Sequence, residues 1–343
     1  MRQPNLIRAW MLPLSLTPAT VALTFLVALL AGEAQQVGKP ARIGILFLGS
    51  PSTQGVRAEI VREELRKLGY VEGQTITFEI RFANGRLDRV RELATELVAA
   101  RVDVIVTAGT SVLQEFRPVA GSIPIVATMV DPISAGFAES YARPGGNITG
   151  VAFELADLTA KRLPLLKEVI PRVSRVAFLH SSGKVPDALR KVDADQRNAA
   201  EAAARAMGLS VSMSAVEREG DFENAFASAK RARAQAVLQL GSTSFIAHRH
   251  ALMDRAMKAR LPVACEEREF VVIGCLLGYG PSYQENTRRS AAYVDRILKG
   301  ARAADLAIEQ PTKFELAINL RTARALGLTI PPSILLQASE VVE

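Results

Sequence analysis

Cysteine is nearly absent: the 343 residues contain two, Cys265 and Cys275. One chain therefore cannot assemble a four-thiolate zinc site, and no cysteines and histidines pair at zinc-finger spacing. No Cys-x-x-Cys occurs, which argues against thiol redox catalysis. Aromatics are scarce at 6% and do not interleave with basic runs, so no nucleic-acid partner is expected. With 23 Gly and 17 Pro, the chain is neither collagen-like nor disordered. Nucleotide and nucleophile signatures are missing too. Gly49-Ser-Pro-Ser-Thr-Gln-Gly55 lacks the Gly-x-Gly-x-x-Gly spacing of a dinucleotide site. No Gly-x4-Gly-Lys-Ser/Thr cradle and no Gly-x-Ser-x-Gly elbow are present. The expectation is a protein with no cofactor, no metal and no catalytic residues.

What remains is the composition of a large folded protein, 49% hydrophobic and 22% charged. At roughly 100–200 residues per domain, the length predicts two globular units. The net charge of +7, from 42 Lys+Arg against 35 Asp+Glu, is spread along helical segments. Basic residues are flanked by acids, as in Arg57-Ala-Glu-Ile-Val-Arg-Glu-Glu, and this reads as solvated helix faces.

The first 34 residues read as an address. Arg2 and Arg8 precede a nearly uncharged stretch from Ala9 to Gly32, and small residues follow at Gly32-Glu33-Ala34. This is the order of a secretory signal, with cleavage expected after Ala34 and a periplasmic or secreted mature chain. An uncleaved anchor is the alternative, since the stretch approaches the ~20 residues that span a bilayer. In an oxidising compartment Cys265 and Cys275 can pair; otherwise they are two small buried hydrophobes.

Past residue 40, short β-rich runs alternate with amphipathic helices. Strands are expected at 42–48, 75–80, 103–107 and 123–128, and again at 175–180, 210–215, 235–240 and 261–264. Helical spacing runs through 54–68, 87–99, 187–207 and 242–259. This alternation predicts an α/β fold with parallel sheets covered on both faces. A weak internal repeat runs beneath it. Arg42-Ile-Gly-Ile-Leu-Phe-Leu corresponds to Arg175-Val-Ala-Phe-Leu-His. Likewise Asp103-Val-Ile-Val-Thr-Ala-Gly109 corresponds to Gln235-Ala-Val-Leu-Gln-Leu-Gly241. Two similar doubly wound lobes are the expectation. Pro and Gly punctuation places the first crossing in Ala142–Gly150, with others near Tyr279–Pro281 and 307–312. The boundaries read 35–147 and 281–309 for lobe 1, and 148–280 and 310–343 for lobe 2.

Open parallel sheets bind ligands outside the carboxyl ends of their strands. That rule selects Ser50 and Ser52 after the first strand, then Thr110 and Ser111, and then Thr128 and Asp131. In the second lobe it selects His180, then Ser242 and Thr243. Glu266 and Glu267 follow the last of these strands and suit a cationic group, Glu267 being the site candidate, and Tyr279 stands at the expected second crossing. Ser/Thr hydroxyls and backbone N–H groups at such ends suit a carboxylate.

Taken together, Glu64-Leu-Arg-Lys-Leu-Gly-Tyr-Val-Glu-Gly73, Asp103-Val-Ile-Val-Thr-Ala-Gly-Thr110, Ile123-Pro-Ile-Val126, Asp131-Pro132 and Arg143-Pro-Gly-Gly-Asn-Ile-Thr-Gly150 resemble a known family. Ala292-Tyr-Val-Asp-Arg-Ile-Leu-Lys-Gly-Ala301, Gln310-Pro-Thr-Lys-Phe-Glu-Leu-Ala-Ile-Asn-Leu320 and Ala325-Leu-Gly-Leu-Thr-Ile-Pro331 extend the likeness over nearly all of 42–343. The family is that of ABC transporter substrate-binding proteins of the tryptophan/tyrosine type, with the two-lobed type I periplasmic-binding fold. The resemblance implies a hinged, monomeric, non-enzymatic receptor that hands a small solute to an inner-membrane permease energised by a separate ATPase. It also implies that the loop at Thr110 lies near the ligand carboxylate. His180-Ser-Ser and Cys265-Glu-Glu267 depart from the family pattern, which points to an amino acid or related solute that is aromatic or, at these departures, more polar or cationic. Two other outputs stay open. One is a ligand sensor docking on a chemoreceptor or sensor kinase; the other is an exported α/β enzyme using His180 with Asp131 or Glu267.

Overall fold

Alternation along the strands explains how the first sheet is covered. In β1 (Ala41–Phe47), Ile43, Ile45 and Phe47 enter one hydrophobic cluster while Leu46 enters the cluster on the opposite face. Successive side chains of a strand point to opposite faces, so a run apolar at every position calls for helices on both. The computed structural model describes residues 39–182 and 187–343. The expected leader at 1–34 lies outside the described residues. Among them, no helix is long and apolar enough to cross a membrane.

The first lobe continues through α1 (Pro51–Lys67), β2 (Ile76–Phe82), α2 (Val90–Ala99), β3 (Val104–Ala108), α3 (Thr110–Phe116), β4 (Ile125–Val130) and β5 (Ile148–Phe153). Its sheet is wholly parallel, in the order β2-β1-β3-β4-β5. Ala58, Val61 and Leu65 of α1 cover one face; Leu93, Ala94 and Leu97 of α2 cover the other.

The second lobe contains α4 (Leu155–Val169), β6 (Arg175–Ser181), α5 (Asp187–Ala206), β7 (Ser210–Val216), α6 (Asp221–Arg231) and β8 (Ala236–Gln239). It continues with α7 (Thr243–Ala247), α8 (Arg249–Ala259), β9 (Val263–Cys265), α9 (Arg268–Val272) and β10 (Leu277–Pro281). After α10 (Tyr283–Leu298) come β11 (Phe314–Asn319), α11 (Leu320–Leu326), α12 (Pro332–Gln337) and β12 (Glu340–Val342). The second sheet runs β12-β11-β10-β9-β8-β6-β7 and is parallel except where β11 meets β10. Its segment β7-β6-β8-β9-β10 repeats the strand order of the first sheet, which is the physical content of the sequence repeat. All eight expected strands lie within two residues of their expected bounds. The stretch expected as one helix at 242–259 is two, α7 and α8. They break at His248, which leaves helical geometry at φ −105°, ψ 22° and binds Glu219 Oε2 through Nδ1 at 3.0 Å.

The expected crossing at Ala142–Gly150 falls inside the first sheet. Ile148–Phe153 pairs with β4, so the chain leaves that sheet only after Phe153. Gly150 (φ +134°) is required there, because a Cβ would overlap the Ala127 carbonyl oxygen on β4. The Pro-Gly-Gly punctuation thus marks the turn into an edge strand. Helix α10 packs on α1 and on β3, β4 and β5. Glu309 then bridges to the edge of β5, Ala152 N donating to Glu309 O at 2.9 Å, before the chain enters β11.

Candidate functional site

The carboxyl ends of both sheets meet within the compact unit formed by residues 41–343. Arg249 of α8 donates through Nη2 to the Thr53 carbonyl of α1 at 2.5 Å. Gly109 (φ +102°), ahead of α3, lies so close to the Thr243 side chain that a Cβ would sit 2.7 Å from its Cγ2. The two lobes are therefore closed on one another. Between them lies a cavity with about 90 Å³ open to water centres, several molecules' worth at roughly 10–15 Å³ each. Outside it is a wider vestibule of about 760 Å³ by the same measure, and the two share Ser111, Ser181 and Ser242.

Thr110, Ser111 and Thr128, all expected, line the cavity from the first lobe. The Thr110 hydroxyl is already engaged: Val130 N donates to it at 2.9 Å, and it donates to Val130 O at 3.1 Å. Its role in the free protein is to pin the start of α3 to the end of β4. Two residues of α1 that sequence reading missed, Gln54 and Arg57, also face the cavity. Arg57 was read as part of a solvated face, but it is 4% exposed. Gln54, Arg57, Ala58, Val61 and Leu65 are all buried and follow helical spacing. A charge in phase with that inward stripe was the signal for Arg57.

Ser242 and Thr243 line the second wall as expected, and Ser242 caps α7 by accepting from Ser244 N at 3.2 Å. With them stand Glu266, Asp193 of α5 and Tyr283 at the start of α10. Asp193 again interrupts an inward stripe, beside Val192 and four residues after Leu189. Burial pushes its carboxyl up to about 6, against the pull of Arg197.

The second wall holds buried charge. Arg162 of α4 is fully buried and, among the described residues, donates only to neutral acceptors, namely Gln239 O at 2.7 Å, Thr159 Oγ1 at 3.1 Å and Leu158 O at 3.4 Å. Burial lowers its pKa, and Glu266 opposes that shift. Glu266 Oε1 accepts from Gln239 Nε2 at 3.2 Å and from Ser242 N at 3.3 Å. Burial raises the Glu266 pKa, with Arg162 the strongest of the groups that oppose the rise. Glu267 Oε2 pairs across the lobes with Arg57 Nη2 at 3.1 Å, both side chains at most 5% exposed. Burial raises the Glu267 carboxyl, with Arg57 opposing. On Arg57, burial opposes the charge, but Glu267, Glu269 and Tyr283 outweigh it and hold the guanidinium above its ordinary pKa.

Cys265 and Cys275 are disulfide-bonded, closing the segment that carries Glu266 and Glu267. Among the described residues, no group of three or more His, Cys, Asp or Glu side chains converges where it could hold a metal ion.

Six expected residues are not brought to the cavity. Ser50 and Ser52 bond to each other at 2.8 Å ahead of and within the first turn of α1, and residues deeper in that helix face the cleft instead. His180 is followed by Ser181, which lines the cavity; neighbouring strand residues point oppositely, and the His180 ring lies 3.3 Å from Ser181 O. Glu267 and Glu266 divide the same way, one toward Arg57 and one toward the cavity. Tyr279 stacks on Phe314 with ring centroids 6.4 Å apart, while Tyr283 takes the cavity position. Asp131, at φ +46°, begins a turn and not a helix. Its carboxyl is pushed up to about 8 by burial and by hydrogen bonding to Glu154, which also accepts from Tyr141 Oη at 2.6 Å. This group braces the point where the chain leaves the first sheet.

Two α/β lobes closed over a cavity of mixed polar and apolar lining define a solute-binding protein, one that holds a guest without transforming it. The chain belongs to the ABC transporter substrate binding protein family, whose sequence pattern matches residues 45–342. The tyrosine-binding protein of Clostridioides difficile (strain R20291) is 23% identical over 293 residues, covering 84% of this chain and 82% of its own. A crystal structure of an ABC domain from Streptococcus pneumoniae in complex with L-Trp superimposes with a TM-score of 0.78 at 22% identity, covering 89% of this chain and all of the other. A conserved domain protein from Vibrio cholerae O1 biovar eltor gives 0.79 at 23% identity, over 88% of this chain and 100% of its own. The fold is that of type I periplasmic binding proteins, and the family implies a small-molecule ligand and a transporter partner.

Proposed function

We propose that this protein is the extracytoplasmic receptor of an ABC importer and captures an amino acid or a closely related solute between its lobes. The observation that carries the reading is the cavity walled by the strand ends of both sheets, with Thr110, Ser111 and Thr128 on one side and Ser242, Thr243, Asp193 and Glu266 on the other. In this reading Ser111, Thr128 and Thr243 face the solute carboxylate and Asp193 faces its ammonium group. Ionised donors and acceptors of this kind form the stronger class of hydrogen bond. The tyrosine-binding and L-Trp-bound relatives support an amino acid as guest. Export through the leader at 1–34 and delivery to an inner-membrane permease by a monomer complete the proposal. Mass spectrometry of the solute that copurifies, followed by calorimetry with that compound, tests it. Saturable 1:1 binding is expected. A purified protein that carries no solute and shows no thermal stabilisation by any of the twenty amino acids would dismiss the amino-acid reading.

A further inference from the structure

Three cavity-lining side chains carry polar atoms that no protein group answers. Arg57 uses only Nη2, toward Glu267; its Nε and Nη1 meet no acceptor among the described residues. Glu266 uses Oε1 twice, but its Oε2 accepts from nothing among them. The Tyr283 hydroxyl likewise has no partner there, and the Arg57 guanidinium lies 4.8 Å over the Tyr283 ring. Arg57 and Glu266 are more than nine-tenths buried, and Tyr283 is nearly as enclosed. Polar groups on side chains this enclosed are almost always paired, so the unpaired atoms of these three side chains around one cavity describe what the guest must supply. Arg57 asks for an acceptor and has no lone pair to give. Glu266 asks for a donor at Oε2, the oxygen that its bonds from Gln239 and Ser242 leave free. Since Glu267 already neutralises Arg57, a guest with a second net charge at this end would leave the balance unmet.

We propose that this end of the cavity selects an amino acid whose side chain ends in an uncharged group offering a carbonyl and an N–H together, a carboxamide or ureido group. Its carbonyl accepts from Arg57 and Tyr283, and its N–H donates to Glu266 Oε2. An indole end offers a donor to Glu266 but no acceptor to Arg57 and Tyr283, a phenol meets the three groups with a single oxygen, and a phenyl end meets none of them. A site built for hydrogen bonding rejects guests that cannot make the bonds. The inference rests on the amino-acid reading above and deepens it.

Calorimetry on the purified protein with L-glutamine, L-asparagine, L-citrulline, L-glutamate, L-tyrosine and L-tryptophan tests it. At least one of the first three is expected to bind ten or more times tighter than L-glutamate and both aromatic amino acids. In Glu266→Gln, the preference for L-glutamine over L-glutamate should shrink at least tenfold, because the repelling charge is gone. If that variant does not fold, the panel on the unaltered protein still decides. Tighter binding of L-tyrosine or L-tryptophan than of every carboxamide or ureido compound would overturn the inference and leave the amino-acid reading standing. Binding of none of the six, with a copurified solute of another class, would overturn both.

Discussion

The two walls of the cleft solve the same problem by different means. On the first lobe, Thr110, Ser111 and Thr128 present short neutral side chains, and Thr110 is tied to its own lobe through the Val130 backbone. Thr110 needs nothing from the other lobe, whereas Arg57 on the same wall does. On the second lobe, Glu266 is answered within the lobe by Gln239, Ser242 and the Arg162 charge, but Glu267 finds its cation on the opposite lobe. Thr110 on the first wall is pre-set by backbone geometry; the charges of Arg57 and Glu267, one on each lobe, are balanced only when the lobes meet. Buried ion pairs seldom add much net stability, yet removing one partner is costly. The Arg57–Glu267 pair therefore reads as a device that specifies the closed arrangement.

The largest expected effect isolates that pair. Glu267→Ala strands the Arg57 charge in a site at most 5% exposed and should destabilise the protein by about 3–5 kcal/mol in denaturant unfolding. Arg57→Met with Glu267→Met should recover most of the loss, since neither charge is then buried. A double variant as weak as the single one would show that packing, not charge, was removed. Next in size, Cys265→Ala with Cys275→Ala opens a cross-link between residues 10 apart and should cost about 2–3 kcal/mol. Calorimetry on that variant should also show weaker binding, because the severed segment carries Glu266.

Smaller effects should come from the first wall. Thr110→Ala leaves the Val130 N–H without its acceptor and should cost about 1 kcal/mol of stability. A loss of affinity with unchanged stability would instead place the hydroxyl on the guest.

The smallest effect concerns the brace at Asp131. Its folded pKa is raised to about 8 from an ordinary 3.8, by burial and by Glu154. The folded protein therefore holds a proton that the unfolded chain has released. The stability this gives is full below the ordinary value and is lost as pH rises toward 8. Asp193 acts in the same direction up to about pH 6. Asp131→Asn keeps a donor for Glu154 and tolerates the left-handed backbone, so unfolding measured at pH 5 and pH 8 should differ less in the variant than in the parent.

Much of this was legible in the chain. Ile43, Ile45 and Phe47 alternating with Leu46 announced a strand buried on both faces, and Arg175-Val-Ala-Phe-Leu-His announced its counterpart in the second lobe. The cleft hydroxyls followed from the rule that strand ends make sites. Ser181 and Tyr283 were missed in favour of near neighbours, and Glu266 was not told apart from Glu267, because sequence located the loops without showing which way consecutive side chains turn. Arg57 and Asp193 were missed because a charge on an amphipathic helix is usually solvated, and only its phase betrays the exception.

Sequence by itself determined the elements, their alternation and the doubling of the lobe, since these follow from local periodicity and from backbone groups that must pair nearby. Which charges face each other was decided by the tertiary structure alone. Arg57 and Glu267 stand 210 residues apart, and their attraction operates only once two separately folded sheets bring a helix and a strand end within hydrogen-bonding reach, away from water.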